Sequence, residues 1–239
     1  MEFLALAAIT VLAAGVYGFA GFGAALIAVP LFAQIVGPAA AIGLLAVAAV
    51  GSVPTVLPGA IRRADRRACL WMLGTSFLGL PLGVALLSVV DPVAIRWIMS
   101  LVVLGTLAAL LAGLRVEWAP GRGTWGSVGG LVGLFGGATG LNGPPLVLFQ
   151  LAGPDGAERS RANTITVLTL SSMALAPLLF WSGSIGRETI LTGLALIPVY
   201  AISAWIGQRL FTPARTGLYR AAAFVIIGAA GVAGLPLWD

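Results

Sequence analysis

Ionisable side chains stand in short groups along this chain, and the apolar stretches between them are close to the ~20 residues that a helix needs to cross the ~30 Å hydrocarbon core of a bilayer. Arg62, Arg63, Asp65, Arg66 and Arg67 form the densest group. Sparser ones lie at Asp91 and Arg96, at Arg115, Glu117 and Arg122, from Asp155 to Arg161, at Arg187 and Glu188, and at Arg209, Arg215 and Arg220. Charged residues make up 9% of the chain, against ~25% in soluble domains. That shortfall decides the class. A soluble fold must cover its surface with polar groups, and this chain has too few of them. Its surface faces lipid, and the fold class is an all-α polytopic membrane protein.

The same composition removes several functions. The net charge of +5 comes from arginines at span borders, where cytoplasmic loops concentrate positive charge, so it is no sign of nucleic-acid binding. Cys69 is the one cysteine, and histidine is absent. A disulfide, a multi-cysteine metal site and the usual zinc or haem ligand sets are thereby excluded, and no cofactor is expected. Cys69 reads as packing near a helix end. An intramembrane hydrolase needs a base beside its nucleophile. With neither histidine nor lysine, and no Asp or Glu deep in a span, the chain does not read as an enzyme. Met1-Glu2-Phe3 has no positively charged leader region, so the first apolar segment reads as a retained helix.

Plain crossings are expected at about 39–58, 69–89 and 94–114, then at about 160–181, 188–208 and 217–236. Segments 3–36 and 124–152 are apolar but interrupted by glycine and proline. Each is too long for one straight crossing and too broken for two comfortable ones, and reads as a re-entrant-type hairpin. The 62–67 loop, with four arginines and one aspartate, is expected in the cytoplasm. If 124–152 returns to the side it left, the Asp155–Arg161 and Arg209–Arg220 loops are cytoplasmic too, and the N-terminus with Glu2 is outside. A single crossing there puts the Arg209–Arg220 loop outside, against the rule, so the hairpin is preferred to a conventional eight-crossing count. Trp71, Trp97, Trp118, Trp125, Trp181 and Trp238 lie near span borders and read as an aromatic belt.

The two interrupted segments resemble each other. GVYGFAGFGAALIAVPLF (15–32) and GLFGGATGLNGPPLVLF (133–149) align at an offset of 119 residues, half the chain, which pairs Gly18 with Gly137 and Gly21 with Gly140. The order of the segments that follow repeats as well, so the chain divides into two membrane repeats, 1–119 and 120–239. Each holds one Gly/Pro-broken hairpin and three crossings. Three crossings per half invert the second copy, and the loop charges agree: the positive 62–67 loop corresponds to the neutral Arg187/Glu188 loop, and the neutral Asp91–Arg96 loop to an arginine-rich one. Inverted repeats with discontinuous helices are a recurrent plan of secondary transporters, with the substrate near the midplane between the repeats.

A chain break at membrane depth persists only where it is buried in protein or lines a cavity. Gly18, Gly21 and Gly23, and Gly136, Gly137, Gly140 and Gly143, read as such breaks. Pro144 and Pro145 suit the first turn of a restarting helix, with Asn142 as its cap. Helices that restart near the midplane aim free N–H groups and positive dipole ends at one place, which favours an anion. No buried arginine is needed, and none is expected within the spans. The competing reading, that Gly-x-x-Gly only packs helices closely, weakens because two corresponding runs carry the pattern. The candidate substrate-binding residues are Gly18, Gly21, Phe22, Gly23 and Ala24, then Thr139, Gly140, Leu141, Asn142 and Gly143, with Asn163 and Thr166 closing the site from the next span. Other polar residues within the spans include Tyr17, Ser52, Thr169, Ser171, Ser172 and Tyr200; the serines and threonines among them, taken singly, read as structural, because their hydroxyls commonly bond their own backbone in membrane helices. Gln34 and Gln150 are expected at the interface. A buried proton relay is not supported, which leaves a facilitator or coupling through a border residue such as Asp91 or Glu188.

On these residues the chain resembles the TauE/SafE family of sulfite and organosulfonate exporters. The resemblance covers the whole chain as an architecture, with residue matches confined to 15–32 and 133–149. Members usually show Gly-x-Gly-Gly-Gly before the restarting helix, where this chain has GFGAA (21–25) and GLNGPP (140–145). The resemblance implies export of a small sulfur-containing anion, sulfite or an organosulfonate, across the bacterial cytoplasmic (inner) membrane. The expectation is a transporter of small anions that holds its substrate on backbone amides at the midplane. An anion channel shares that site and differs in kinetics. A non-transporting scaffold has little reason to keep two matching breaks. Beyond the anion and the lipid bilayer, small-residue packing could also build a homodimer.

Overall fold

The computed structural model describes residues 1–113, 121–152, 156–210 and 216–237. The belt positions Trp118 and Trp238, and the loop residues Arg115, Glu117, Asp155 and Arg215, lie outside the described residues. The chain runs through α1 (Glu2–Ala20), α2 (Ala24–Val36), α3 (Pro38–Ala48), a 3-10 turn (Ala49–Gly51), α4 (Ser52–Thr55), α5 (Leu57–Ile61), α6 (Arg66–Val89) and α7 (Pro92–Leu111). It continues through α8 (Arg122–Thr139), α9 (Gly143–Ala152), α10 (Ala157–Trp181), α11 (Arg187–Leu210) and α12 (Thr216–Ala233). Among the described residues there is no strand. Six segments are long and apolar enough to cross a membrane: α1, the run Pro38–Thr55, α6, α7, α10 and α11. In α12 the described apolar part, Ala223–Ala233, is shorter. At 19 residues, α1 is about 28 Å long and needs no partner to span the core.

Both interruptions end a helix in the same way. Gly21, at φ 82°, closes α1 with its N–H on the Tyr17 carbonyl at 2.7 Å; Gly140, at φ 72°, closes α8 with its N–H on the Gly136 carbonyl at 2.9 Å. A left-handed residue at a helix end is the ordinary place for glycine, since a side chain there costs roughly 1–2 kcal/mol. Gly18, Gly136 and Gly137 are not part of the breaks: they lie inside α1 and α8. There they serve contact. A Cβ on Gly129, Gly133 or Gly137 would overlap the backbone of α6 at Met72, Ser76 or Leu80, and one on Gly18 would overlap the carbonyl of Ala204 in α11. Small residues spaced by four let membrane helices approach backbone to backbone.

The crossing expected at 39–58 is subdivided. Pro54 lacks the N–H that would bond the Val50 carbonyl, and the helix changes to a 3-10 turn and two short helices. The Ser52 hydroxyl donates to the Ala49 carbonyl at 2.6 Å and that of Thr55 to the Gly51 carbonyl at 3.0 Å.

α1 packs along α11 and α8 along α6; α3 touches α2 and α11, and α10 touches α9, α6 and α3. Large apolar side chains such as Leu70, Leu78, Leu82, Val89 and Trp181 are exposed, while Thr10, Ser52, Ser76, Asn142, Asn163 and Thr169 are buried. This apolar exterior suits lipid. Trp71, Trp97 and Trp181 are exposed near helix ends, whereas Trp125 is partly buried against the core.

Side-chain bonds tie the two ends of the bundle. At one end Arg63 pairs with Glu158 at 2.8 Å, and Asn163 Oδ1 accepts the Asp65 N–H at 2.7 Å. At the other, Gln34 Nε2 donates to the carbonyls of Ala233 and Leu235 at 3.1 and 3.3 Å, and its Oε1 accepts from Arg96.

Candidate functional site

The two breaks meet in one pocket. Gly23, Ala24 and Ala25 enter it at the start of α2, and Gly140, Asn142 and Gly143 at the start of α9. The wall between is Ile42, Leu45, Ala46, Ala49 and Ser52 on one side and Leu168, Thr169, Ser172 and Leu175 of α10 on the other, with Tyr17 and Tyr200 closing it. Its cavity volume is about 40 Å³. At ~10–15 Å³ for one water centre, that space admits a few waters or one small oxyanion.

Polar groups in the pocket are ordered by one another. Asn142 Nδ2 donates to the hydroxyls of Ser171 at 3.2 Å and Ser172 at 3.1 Å. The Ser171 hydroxyl donates in turn to the Leu168 carbonyl at 3.2 Å. The Tyr17 hydroxyl and Thr169 Oγ1 are 2.6 Å apart, and Ser52 Oγ lies 3.4 Å from Thr169 Oγ1. The Tyr200 ring, 2% exposed, stands 6.1 Å from that of Tyr17 at 51°. Among the described residues, no Asp, Glu or Arg lines the pocket. What it presents is hydroxyls, one amide and the first turns of two helices, a set that donates hydrogen bonds and carries no fixed negative charge.

The family model for the sulfite exporter TauE/SafE family matches residues 6–234. The chain belongs to this family. It is also similar to the probable sulfite/organosulfonate exporter TauE of Cupriavidus necator, 27% identical over 208 residues, which is 81% of this chain and 81% of that relative. No solved structure matches. TauE/SafE proteins are transporters rather than enzymes, and this member, with six helices able to span, is a multi-pass protein of the bacterial cell membrane.

In this TauE/SafE chain Gly23, Ala24, Gly140, Asn142 and Gly143 line the pocket, and the other expected site residues stand around it. Gly18 is in the α1–α11 seam, and Gly21 forms the turn. Phe22 is partly buried and Leu141 fully so. Thr139 donates to the Phe135 carbonyl at 2.8 Å and accepts the Leu141 N–H at 3.3 Å, which secures the second break. Asn163 is engaged at the bundle end, accepting from the Asp65 backbone and from Cys69 Sγ at 3.6 Å. The buried Thr166 hydroxyl has no hydrogen-bond partner among the described residues. Cys69 is buried beside the start of α6, as its position near a helix end implied.

Ser52, Thr169 and Ser172, read from the sequence as structural, all face the pocket, as do Tyr17 and Tyr200. One sequence signal for the Ser52 wall was available: Ser52 corresponds to Ser171 at the 119-residue offset. One further expectation is corrected. Arg161 belongs to α10, is partly buried, and donates to the carbonyls of Gly18 and of Phe19, the latter at 3.1 Å, so the spans do contain an inward arginine. Asp91 is taken up as the N-cap of α7, accepting the N–H groups of Val93 and Ala94 at 2.9 and 3.2 Å, which gives it a structural task at a helix start.

Proposed function

We propose that this protein exports sulfite or an organosulfonate across the cytoplasmic membrane, and that the anion rests in the pocket between the two breaks. The observation that carries the reading is the convergence of two helix starts, α2 and α9, on one pocket without carboxylates. Free N–H groups of a first helical turn and the positive dipole end stabilise an anion without a buried cation. The hydroxyls of Ser172 and Tyr200 add donors, and Ser172 already accepts from Asn142, which leaves its own proton for the substrate. The volume favours sulfite and small alkylsulfonates over bulky aromatic sulfonates.

Two inverted repeats, each with a returning hairpin, are part of this proposal. At the 119-residue offset, Gly21 corresponds to Gly140, Gly23 to Asn142, Ala24 to Gly143 and Ala49 to Leu168; the first pair share one backbone conformation and the other three line the pocket. The long arm α1 packs on α11 and its counterpart α8 on α6, so each repeat lends its second crossing to the hairpin of the other. The Arg63–Glu158 pair joins the ends before α6 and after α9. With α6 and α7 crossing once each, α8 and α9 must return to the side they left. Alternating access then follows from rocking of one repeat against the other about the pocket.

The test is counterflow. Purified protein in proteoliposomes should exchange labelled sulfite saturably, with competition from small sulfonates and little from chloride or an arylsulfonate. No exchange of any of these anions, from protein shown to be folded, would remove the function.

A further inference from the structure

This inference rests on the export reading and asks which face of the pocket receives the anion. At the 119-residue offset Arg161 corresponds to Ile42, and the two hold the same post. Arg161 Cγ lies 2.8 Å from where a Cβ on Gly21 would stand, and Ile42 Cγ1 lies 3.1 Å from one on Gly140. Their surroundings differ in the same sense. Beside Arg161, Asn163 accepts the Asp65 N–H, and the Arg63–Glu158 pair closes the end of the bundle. Beside Ile42, Gly43 packs on Ile185 and Thr189. At the post beside the break, one approach to the pocket carries a cation and the other an aliphatic side chain.

The difference bears on anion entry. The last carbonyls of a helix carry its negative dipole end. On the Arg161 side those are the carbonyls of Gly18 and Phe19, and the guanidinium donates to both. A negative end that would repel an approaching anion is there overlaid by a full positive charge. On the opposite side the last turn of α8 meets the apolar side chains of Val29 and Ile42 at Gly140, where the first repeat has no arginine at the equivalent post. By loop charge, the Arg161 side is the cytoplasmic one.

We propose that Arg161 is the entrance residue of the cytoplasmic mouth: it cancels the negative end of α1 and draws the anion to the pocket from inside, while the Ile42 mouth lacks this attraction. The anion therefore binds more tightly from the cytoplasm than from outside.

Half-saturating sulfite concentrations measured from each face, in inside-out and right-side-out membrane vesicles carrying the full chain, test this. The wild type should show the lower value at the cytoplasmic face. Arg161→Gln should raise that value about tenfold, the scale of one lost charge contact at intermediate dielectric, and leave the external value and the maximum rate within about twofold. Arg161→Lys, which keeps the charge without the paired donors, should stay within about threefold of the wild type. A rise from both faces alike, or a loss of maximum rate with neither half-saturation value moved, makes Arg161 a brace for α1 and overturns the entrance role. If Arg161→Gln does not assemble, Arg161→Lys decides: a loss of cytoplasmic affinity as large as that expected for glutamine overturns it. Saturable wild-type flux with equal values at both faces sinks the entrance role alone. Wild-type vesicles that move no sulfite sink the export reading and this inference with it.

Discussion

Asn142 acts on the pocket through its neighbours as much as directly, because Nδ2 already holds the hydroxyls of Ser171 and Ser172. Replacing it by aspartate keeps the shape and places a negative charge where the anion rests. Asn142→Asp should therefore weaken sulfite exchange roughly a hundredfold, while Asn142→Ala costs about tenfold. Counterflow across a sulfite titration reads both, and equal activity of the aspartate variant and the wild type would place the substrate elsewhere. Gly140 and Gly143 give a contrast in stability. A Cβ on Gly140 must adopt a left-handed backbone and press on Ile42 and Val29, whereas one on Gly143 meets nothing within 4 Å. Gly140→Ala should lose about 1–2 kcal/mol in thermal unfolding of the purified protein, and Gly143→Ala much less. At this scale the sequence reported the breaks but not the wall. Which hydroxyl faces a pocket depends on how each helix is rotated against its neighbours, and a uniformly apolar helix bears no pattern that reveals it. Thr169 and Thr164 look alike in sequence; only Thr169 lines the pocket. Arg161 was misplaced for a related reason, since a border arginine read by loop charge gives no sign of which helix end its guanidinium reaches.

Among the elements, the seam between α6 and α8 is close backbone-to-backbone packing, with glycines of α8 laid against backbone of α6. Gly133→Ala forces a methyl group into the Ser76 carbonyl and should lower the yield of folded protein in size-exclusion chromatography. Gly130→Ala, with nothing within 4 Å, should be neutral or gain up to about 1 kcal/mol from helix propensity. The hairpin makes its own prediction. In a Cys69→Ser background, Arg63→Cys and Glu158→Cys should both react with an impermeant thiol reagent from the cytoplasmic face. Labelling from opposite faces would mean that α8 and α9 together cross once. Most element boundaries were legible, because charge spacing marks the span ends and glycine marks the breaks. The crossing at 39–58 was not, since its mean hydropathy hides what Pro54 does to the backbone, although the proline itself was in view.

The molecule as a whole is apolar on both sides of its helices, with a hydrophobic core that also encloses hydroxyls and amides and with large apolar side chains outside. The proposed repeat rests on a half-length offset in the sequence, at which Gly21 and Gly140 are both left-handed and three further pairs line the pocket. The offset also shows the polarity the second half adds, asparagine in place of Gly23 and arginine in place of Ile42, but not where those side chains lie. The central claim is that one small anion sits between the starts of α2 and α9. Selenite is the heavier analogue of sulfite, and anomalous diffraction at the selenium edge from crystals grown with it would locate the ion. The account predicts a single strong peak between Gly23 and Asn142, lost in Asn142→Asp. A well-occupied peak elsewhere in the bundle, with that pocket empty, would contradict it.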